Sequence, residues 1–92
     1  MNKIRVHVYI SGRVQGVGYR YSTLDQAQKL GIAGWVKNTY DRKVEAVFEG
    51  DENIVEQMLL WCKSGPPMSF VTDIEVQKGQ YTGEFDSFKI KG

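Results

Sequence analysis

Cysteine and histidine are almost absent from this sequence. The 92 residues contain one cysteine, Cys62, so no disulfide can form within the chain. The one histidine, His7, has no partner at the spacing of a metal site, and we interpret it as incidental. A chain of this size can bury a core without disulfide or metal staples. Its length and its 41% apolar content predict one domain that spans residues 1–92.

An excess of charge and a long apolar run are also lacking. Twelve basic residues balance 11 acidic ones, and no block of like charges occurs, which argues against a nucleic-acid or membrane partner. No segment is long enough to cross a membrane, and Lys3, Arg5 and His7 interrupt the start of the chain where a signal peptide would be apolar. We therefore expect a cytoplasmic protein, and because no second apolar stripe calls for a partner, a monomer.

Apolar and polar residues alternate with the period of a half-buried strand in several segments. The even-numbered residues of the first strand, and Ile74 and Val76 of the fourth, are expected to face the core. In the third strand Phe48 should face the same way. The predicted strands are residues 4–10, 32–39, 43–49, 70–77 and 85–90.

Two segments have the period of a helix. The first runs from Arg20 to Leu30 and has an imperfect apolar stripe that begins at Tyr21. The second follows Asp51, a good N-cap, and ends before Gly65, Pro66 and Pro67. Its stripe includes Cys62, so we expect a buried structural thiol.

The resulting order is β-α-β-β-α-β with a short extra C-terminal strand. This order predicts a ferredoxin-like α/β sandwich, with two helices on one face of an antiparallel sheet and the opposite face exposed. The crossover helix makes the first two strands parallel, so their C-terminal ends share one edge of the sheet. The segment from Gly12 to Arg20 should therefore lie near Lys37, Asn38 and Thr39.

The segment from Gly12 to Arg20 reads G-R-V-Q-G-V-G-Y-R. A glycine-rich loop that opens a helix directs unpaired N–H groups outward and binds anions, above all phosphate. Arg20 adds a permanent charge and a forked set of donors. The glycine spacing alone favours a flexible turn with a surface arginine, because it matches neither the dinucleotide fingerprint nor the P-loop.

Two longer motifs make the sequence resemble the acylphosphatase family. The first is G-x-V-Q-G-V-x-F/Y-R, which Gly12 to Arg20 matches throughout. The second begins G-F/Y/W-A/V-K/R-N and continues with a turn glycine, a valine and a final glycine; Gly34 to Asn38, Val44 and Gly50 match it. The turn glycine is replaced by Arg42. If that position needs a positive φ, either Arg42 or Asp41 must take the strained conformation.

The resemblance implies the same sandwich fold and hydrolysis of small acyl phosphates, without metal, cofactor or covalent intermediate. Arg20 is then expected to bind the phosphoryl group, and Asn38 to position the attacking water. Inorganic phosphate and sulfate should compete. The acyl group should be only loosely recognised, because the motifs address the phosphate. The expected phosphate-binding residues are Gln15, Gly16, Val17, Gly18, Tyr19 and Arg20.

The alternative is a binding module of the same fold. RNA-recognition domains stack bases on aromatic side chains of the open sheet face, and Val8-Tyr9-Ile10 is similar to their first motif. The third strand, however, lacks the glycine- and aromatic-rich second motif. A small-ligand-binding regulatory domain is a further alternative, for which the sequence holds no positive signal. Without the resemblance, Asn38 would be interpreted as a turn residue. For Arg20 the alternative is a solvated arginine at a helix start, which the helix dipole disfavours, and this conflict supports a functional role.

Overall fold

The elements follow the order that the sequence predicts. A computed structural model describes residues 2–91. The last strand is shorter than expected, since Phe85 lies outside it, and the fourth extends to Gly79. The elements are β1 Lys3–Arg13, α1 Tyr19–Leu30, β2 Ala33–Asn38, β3 Val44–Asp51, α2 Glu52–Cys62, β4 Phe70–Gly79 and β5 Phe88–Ile90.

The five strands form one sheet in the order β4-β1-β3-β2-β5. β3 is antiparallel to both β1 and β2, so β1 and β2 run parallel and end at the same edge. β4 is antiparallel to β1, whereas β5 is parallel to β2. The sheet is therefore mixed and not antiparallel throughout, because β5 returns along the outer edge of β2.

The core lies between the helices and one face of the sheet. The alternation in β1 and β3 is confirmed, because Val6, Val8, Ile10, Val44, Ala46 and Phe48 are buried. α2 buries Val55, Met58 and Cys62, and burial raises the pKa of the Cys62 thiol to about 12. The thiol is therefore part of the core, as the stripe of α2 predicts.

The stripe predicted for α1 is wrong at Tyr21, which is 67% exposed. The helix begins one residue earlier than expected and buries Tyr19, Thr23 and Ala27, which lie four residues apart. Tyr21 is two residues from Tyr19, about 200° around the helix, so its side chain faces away from the sheet. Neither α1 nor α2, the helices of the described chain, is long and apolar enough to cross a membrane.

Two further expectations about exposure need correction. Ile74 packs against the core as predicted, but Val76 is 41% exposed, because β4 is the edge strand next to β1. The face of the sheet away from the helices is not uniformly open: Val47 and Glu49 on that face are buried. The Glu49 carboxylate is covered by the segment after β4, whose Thr82 and Gly83 donate hydrogen bonds to it.

Candidate active site

The glycine-rich loop is shorter than its sequence pattern indicates. β1 continues to Arg13, and Gly12 lies within it, opposite Val71, at an irregularity in the β1–β4 pairing. A Cβ on Gly12 would lie 2.1 Å from the carbonyl oxygen of Phe70. Gly12 therefore allows close approach of β4 and takes no part in the loop, which runs over residues 14–18.

Backbone N–H groups dominate the loop. Gly16 and Gly18 have φ values of 75° and 80°, and α1 begins directly after Gly18. Within residues 2–91, none of the N–H groups from residue 15 to residue 21 donates a hydrogen bond to the protein. Left-handed glycines between other residues turn successive N–H groups toward one side, which makes a concave site for an anion at the positive end of the helix.

The Gln15 side chain connects the loop to the turn between β2 and β3. Its Nε2 donates to the carbonyl oxygens of Thr39 at 2.7 Å and of Lys43 at 2.9 Å. Both hydrogens of Nε2 are thus committed to the protein, and the backbone N–H is the one donor that Gln15 can still offer an anion. The loop is held beside the residue that follows Asn38.

Tyr19 anchors the other end of the loop. Its ring is buried, and its hydroxyl donates to the Cys62 carbonyl oxygen at 2.7 Å. Burial, and then the neighbouring Cys62, raise the pKa of Tyr19 well above its ordinary value, so the phenol stays protonated. Like Gln15, Tyr19 can offer a ligand only its backbone N–H.

Arg20 and Asn38 line one pocket of about 220 Å³, together with Gly16 and Gly18. The structure thus brings together two residues that are 18 positions apart, because β1 and β2 end at the same edge. Arg20 forms no ion pair within residues 2–91. The Oδ1 of Asn38 is buried and has no hydrogen-bond donor there. Such an oxygen is an acceptor suited to a bound water.

The turn that follows Asn38 is strained at Arg42. With a φ of 72°, Arg42 is the one non-glycine residue of the described chain that has a positive φ. Arg42, and not Asp41, therefore takes the strained position. Around it, the Thr39 hydroxyl accepts from the Lys43 N–H at 3.0 Å and contacts the Asp41 carboxylate. The Thr39 hydroxyl lowers the pKa of Asp41, which stays ionised.

Sequence reasoning missed the surroundings of the loop on its other side. A second pocket of about 600 Å³ is lined by the loop and by Arg13, Arg42 and Met68. Arg13 occupies a position that the first motif leaves variable. Met68 follows the two prolines, at a place where no pattern indicates a functional residue. No signal in the sequence joins these three residues.

His7 lies on the open face of the sheet, beyond the site, and its side chain contacts Glu45 and Tyr9 there. The Nε2 of His7 lies 2.7 Å from the Glu45 carboxylate, and its ring stacks on Tyr9 at 5.0 Å. Among residues 2–91, no group of three His, Cys, Asp or Glu side chains is placed to hold a metal ion. Phe48 of β3 faces the helices, so the central strand offers no aromatic platform on this face.

The family model, the relatives and the solved structure that this chain resembles all belong to one family. The acylphosphatase family model matches residues 6–90. The chain is 50% identical to the acylphosphatase of Pelotomaculum thermopropionicum over 98% of each chain, and 53% identical to that of Trichormus variabilis over 96% of this chain and 86% of the relative. The crystal structure of acylphosphatase from Bacillus subtilis superposes with a TM-score of 0.93, at 39% identity, over 97% of this chain and 99% of that one. The chain therefore belongs to the acylphosphatase family.

Proposed function

We propose that this protein hydrolyses the carboxyl–phosphate bond of small acyl phosphates in the pocket between the loop and Asn38. Membership of the acylphosphatase family supports the reaction. One observation carries the assignment to this pocket: its lining combines Arg20, loop residues with free N–H groups such as Gly16 and Gly18, and Asn38 with its partnerless oxygen. The products are a carboxylate and inorganic phosphate.

The loop holds the phosphoryl group. The N–H groups of Gln15, Gly16, Val17, Gly18, Tyr19 and Arg20 donate to its non-bridging oxygens, and the Arg20 guanidinium donates two further hydrogen bonds from its fork. These donors are fixed before the substrate arrives, because Gln15 and Tyr19 anchor the loop at both ends. They stabilise the charge that the equatorial oxygens carry in the transition state.

Asn38 places the nucleophile. Its Oδ1 accepts a hydrogen bond from a water, and its Nδ2 can donate to a phosphoryl oxygen, so that the water oxygen is directed at phosphorus. The bond from phosphorus to the carboxyl oxygen breaks as the bond to water forms, and the water's protons pass to phosphate and solvent. A carboxylate is a good leaving group, so orientation suffices and no strong general acid is required.

The same site should accept competing anions. Inorganic phosphate and sulfate both fit a set of N–H groups with an arginine. We also propose that the protein acts as a monomer in the cytoplasm, since its balanced charge and single buried cysteine suggest neither a charged partner nor an oxidising compartment. The alternative of an RNA-binding module is not favoured, because Phe48 is buried and the Glu45 carboxylate lies beside Tyr9 on the open face.

Hydrolysis of benzoyl phosphate tests the function. The purified protein, treated with a chelator, should hydrolyse it with steady-state kinetics, and millimolar phosphate should raise the apparent KM without changing kcat. An RNA gel shift run on the same preparation should show no complex. A protein that binds RNA and leaves benzoyl phosphate intact would overturn the proposal.

A further inference from the structure

The second pocket continues the active site on the far side of the loop. Val14 and Gly16 line both the 220 Å³ pocket and the 600 Å³ pocket. Gly16 has no side chain, and no atom lies within 4 Å of the place where a Cβ would be. A molecule whose phosphoryl group lies beside Arg20 can therefore extend across Gly16 into the larger pocket.

The larger pocket carries positive charge that the protein does not neutralise. Arg13 and Arg42 both line it, and no Asp or Glu does. Both arginines are exposed, and neither forms an ion pair within residues 2–91. The nearest carboxylate in the sequence, Asp41, is held by the Thr39 hydroxyl. Two unpaired guanidinium groups at one pocket favour an anionic ligand.

The backbone at Arg42 shows that an arginine stands where the turn would be more relaxed with the glycine of the acylphosphatase motif. A φ of 72° is unfavourable for a residue with a Cβ. The hairpin turn imposes this conformation, so the guanidinium is kept at the pocket wall in spite of the strain. The strain at Arg42 falls in the turn that follows Asn38, and it coincides with an arginine at the pocket wall.

Apolar surface completes the pocket. Met68, which is 69% exposed, and Val17 lie on its wall. An exposed methionine can adapt its side chain to hydrocarbon groups of different shapes. The pocket therefore suits a ligand with a hydrocarbon body that ends in an anionic group.

We propose that Arg13 and Arg42 form an acyl subsite that selects acyl phosphates whose acyl group carries a second anion, a carboxylate or a phosphate. This inference rests on the proposed function, because it assigns the acyl side of the same substrate. It replaces the expectation that the acyl group is only loosely recognised. Arg13 and Arg42 determine specificity, and the bond that breaks is the one described above.

Three rigid substrates test the subsite: 4-carboxybenzoyl, 4-phosphonobenzoyl and 4-methylbenzoyl phosphate. They are similar in size, and their para groups cannot attack the acyl carbon. For the wild-type protein at low ionic strength, kcat/KM for an anionic substrate should exceed that for the methyl substrate about tenfold or more, mainly through KM. Tenfold corresponds to about 1.4 kcal/mol. The order of the carboxylate and phosphonate substrates shows which anion the subsite prefers, and added salt should reduce the preference.

Arg13→Gln, Arg42→Gln and the double variant locate the preference. Each single variant should lower the selectivity ratio, and the double variant should bring it close to one. Lys63→Gln removes one positive charge at the end of α2, outside both pockets, and should leave the ratio unchanged. Thermal melts of each variant show that it is folded.

Two results would overturn the inference: a wild-type ratio near one, or a ratio that the double variant retains. Both require that 4-methylbenzoyl phosphate is hydrolysed, so they leave the proposed function intact. If the protein hydrolyses none of the three substrates, the proposed function itself is contradicted, and the subsite with it.

Discussion

The molecule contains two arrangements of hydrogen-bond donors built from the same groups. At the loop, free N–H groups beside left-handed glycines are joined by Arg20. On the open sheet face, the N–H groups of Thr82 and Gly83, at 3.0 and 3.2 Å, and the Arg5 guanidinium, at 3.0 Å, surround the carboxylate of Glu49. Gly83 also has a positive φ, of 68°. Both are concave sets of backbone donors supplemented by one arginine.

The two arrangements differ in where the anion comes from. Glu49 belongs to the chain, so its site fastens the segment around residues 82–84 to the sheet and contributes to stability. Near Arg20 the described chain supplies no carboxylate, and Asn38 presents a free oxygen instead. Similar donor sets therefore serve structure in one place and, as we propose, catalysis in the other.

Removal of Asn38 should have the largest effect on activity. Asn38→Ala is expected to lower kcat on the order of 10²–10³-fold, since the water loses the group that directs it. The residue is half-buried at a strand end, so the melting temperature should change little. Asn53→Ala, at an exposed position of α2, is the matched control and should keep full turnover. Near-parental kcat in Asn38→Ala would refute the positioning role.

Glu49→Gln should damage stability and spare the loop. Hydrogen bonds to a charged group are worth roughly 1.5–3 kcal/mol, so the variant should lose about that much free energy of unfolding at pH 7. Glu56→Gln, at an exposed site on α2, is the control. Benzoyl phosphate hydrolysis at a temperature where both variants are folded should match wild type. An unchanged denaturant midpoint would show that the carboxylate stabilises nothing.

The pH dependence of that loss follows from the pKa of Glu49. Burial alone would raise this pKa, but hydrogen bonds from Thr82 and Arg5 outweigh it and lower the pKa. The stabilisation is therefore complete at pH values above the pKa of an unfolded-state glutamate, about 4.3. It is lost as the pH falls through the lower pKa that Glu49 has in the folded protein. The stability difference between wild type and Glu49→Gln should shrink below about pH 4. Urea unfolding from pH 7 to pH 3 measures it, and a difference that stays constant would contradict this account.

Arg20→Lys and Arg5→Lys compare the two arginines directly. Lysine keeps the charge but cannot reproduce the planar fork, so Arg20→Lys should lower kcat/KM at least about tenfold while the fold survives. Arg5→Lys should leave kcat/KM near wild type and lower the melting temperature. Full activity in Arg20→Lys would mean that the site needs only positive potential, and that bidentate binding is wrong.

Arg42→Gly should change stability the least, and in the opposite direction to Glu49→Gln. Relief of the positive φ gains about 1–2 kcal/mol, and the added freedom of the unfolded chain removes part of that gain. The melting temperature should rise slightly or stay unchanged. Asp41→Gly is the matched control: Asp41 has no positive φ, so this change should only destabilise. A clear fall in melting temperature in Arg42→Gly would show that Arg42 makes a contact worth more than its strain.

Patterns confined to one segment predicted most of the fold. The period-two runs of β1 and β3 and the caps of the helices depend on neighbouring residues, and they predicted the element order and the core faces of both strands. Apart from the phase of the α1 stripe at Tyr21, the main errors depend on distant partners. The burial of Glu49 requires a segment more than thirty residues later, and the parallel pairing of β5 depends on β2. The local periodicity of a segment carries no information about these long-range contacts.

The sequence predicted the candidate site about as far as it predicted the fold. The motifs selected Arg20 and Asn38, and the parallel arrangement of β1 and β2 required that they meet. Sequence alone could not show that the Gln15 and Tyr19 side chains turn away from a ligand, because their acceptors are backbone carbonyls that any residue supplies. The second pocket was missed because Arg13, Arg42 and Met68 come from three separate segments.

The two hydrogen bonds of Gln15 have a consequence for local opening. One of its acceptors, the Lys43 carbonyl, also receives the Thr39 N–H that closes the hairpin turn, at 2.9 Å. The loop cannot detach from the turn without breaking this junction, and an open turn leaves Gln15 without its acceptors. We therefore expect the opening of the loop and of the turn to be coupled, so that hydrogen exchange at the Thr39 amide depends on a loop more than twenty residues away.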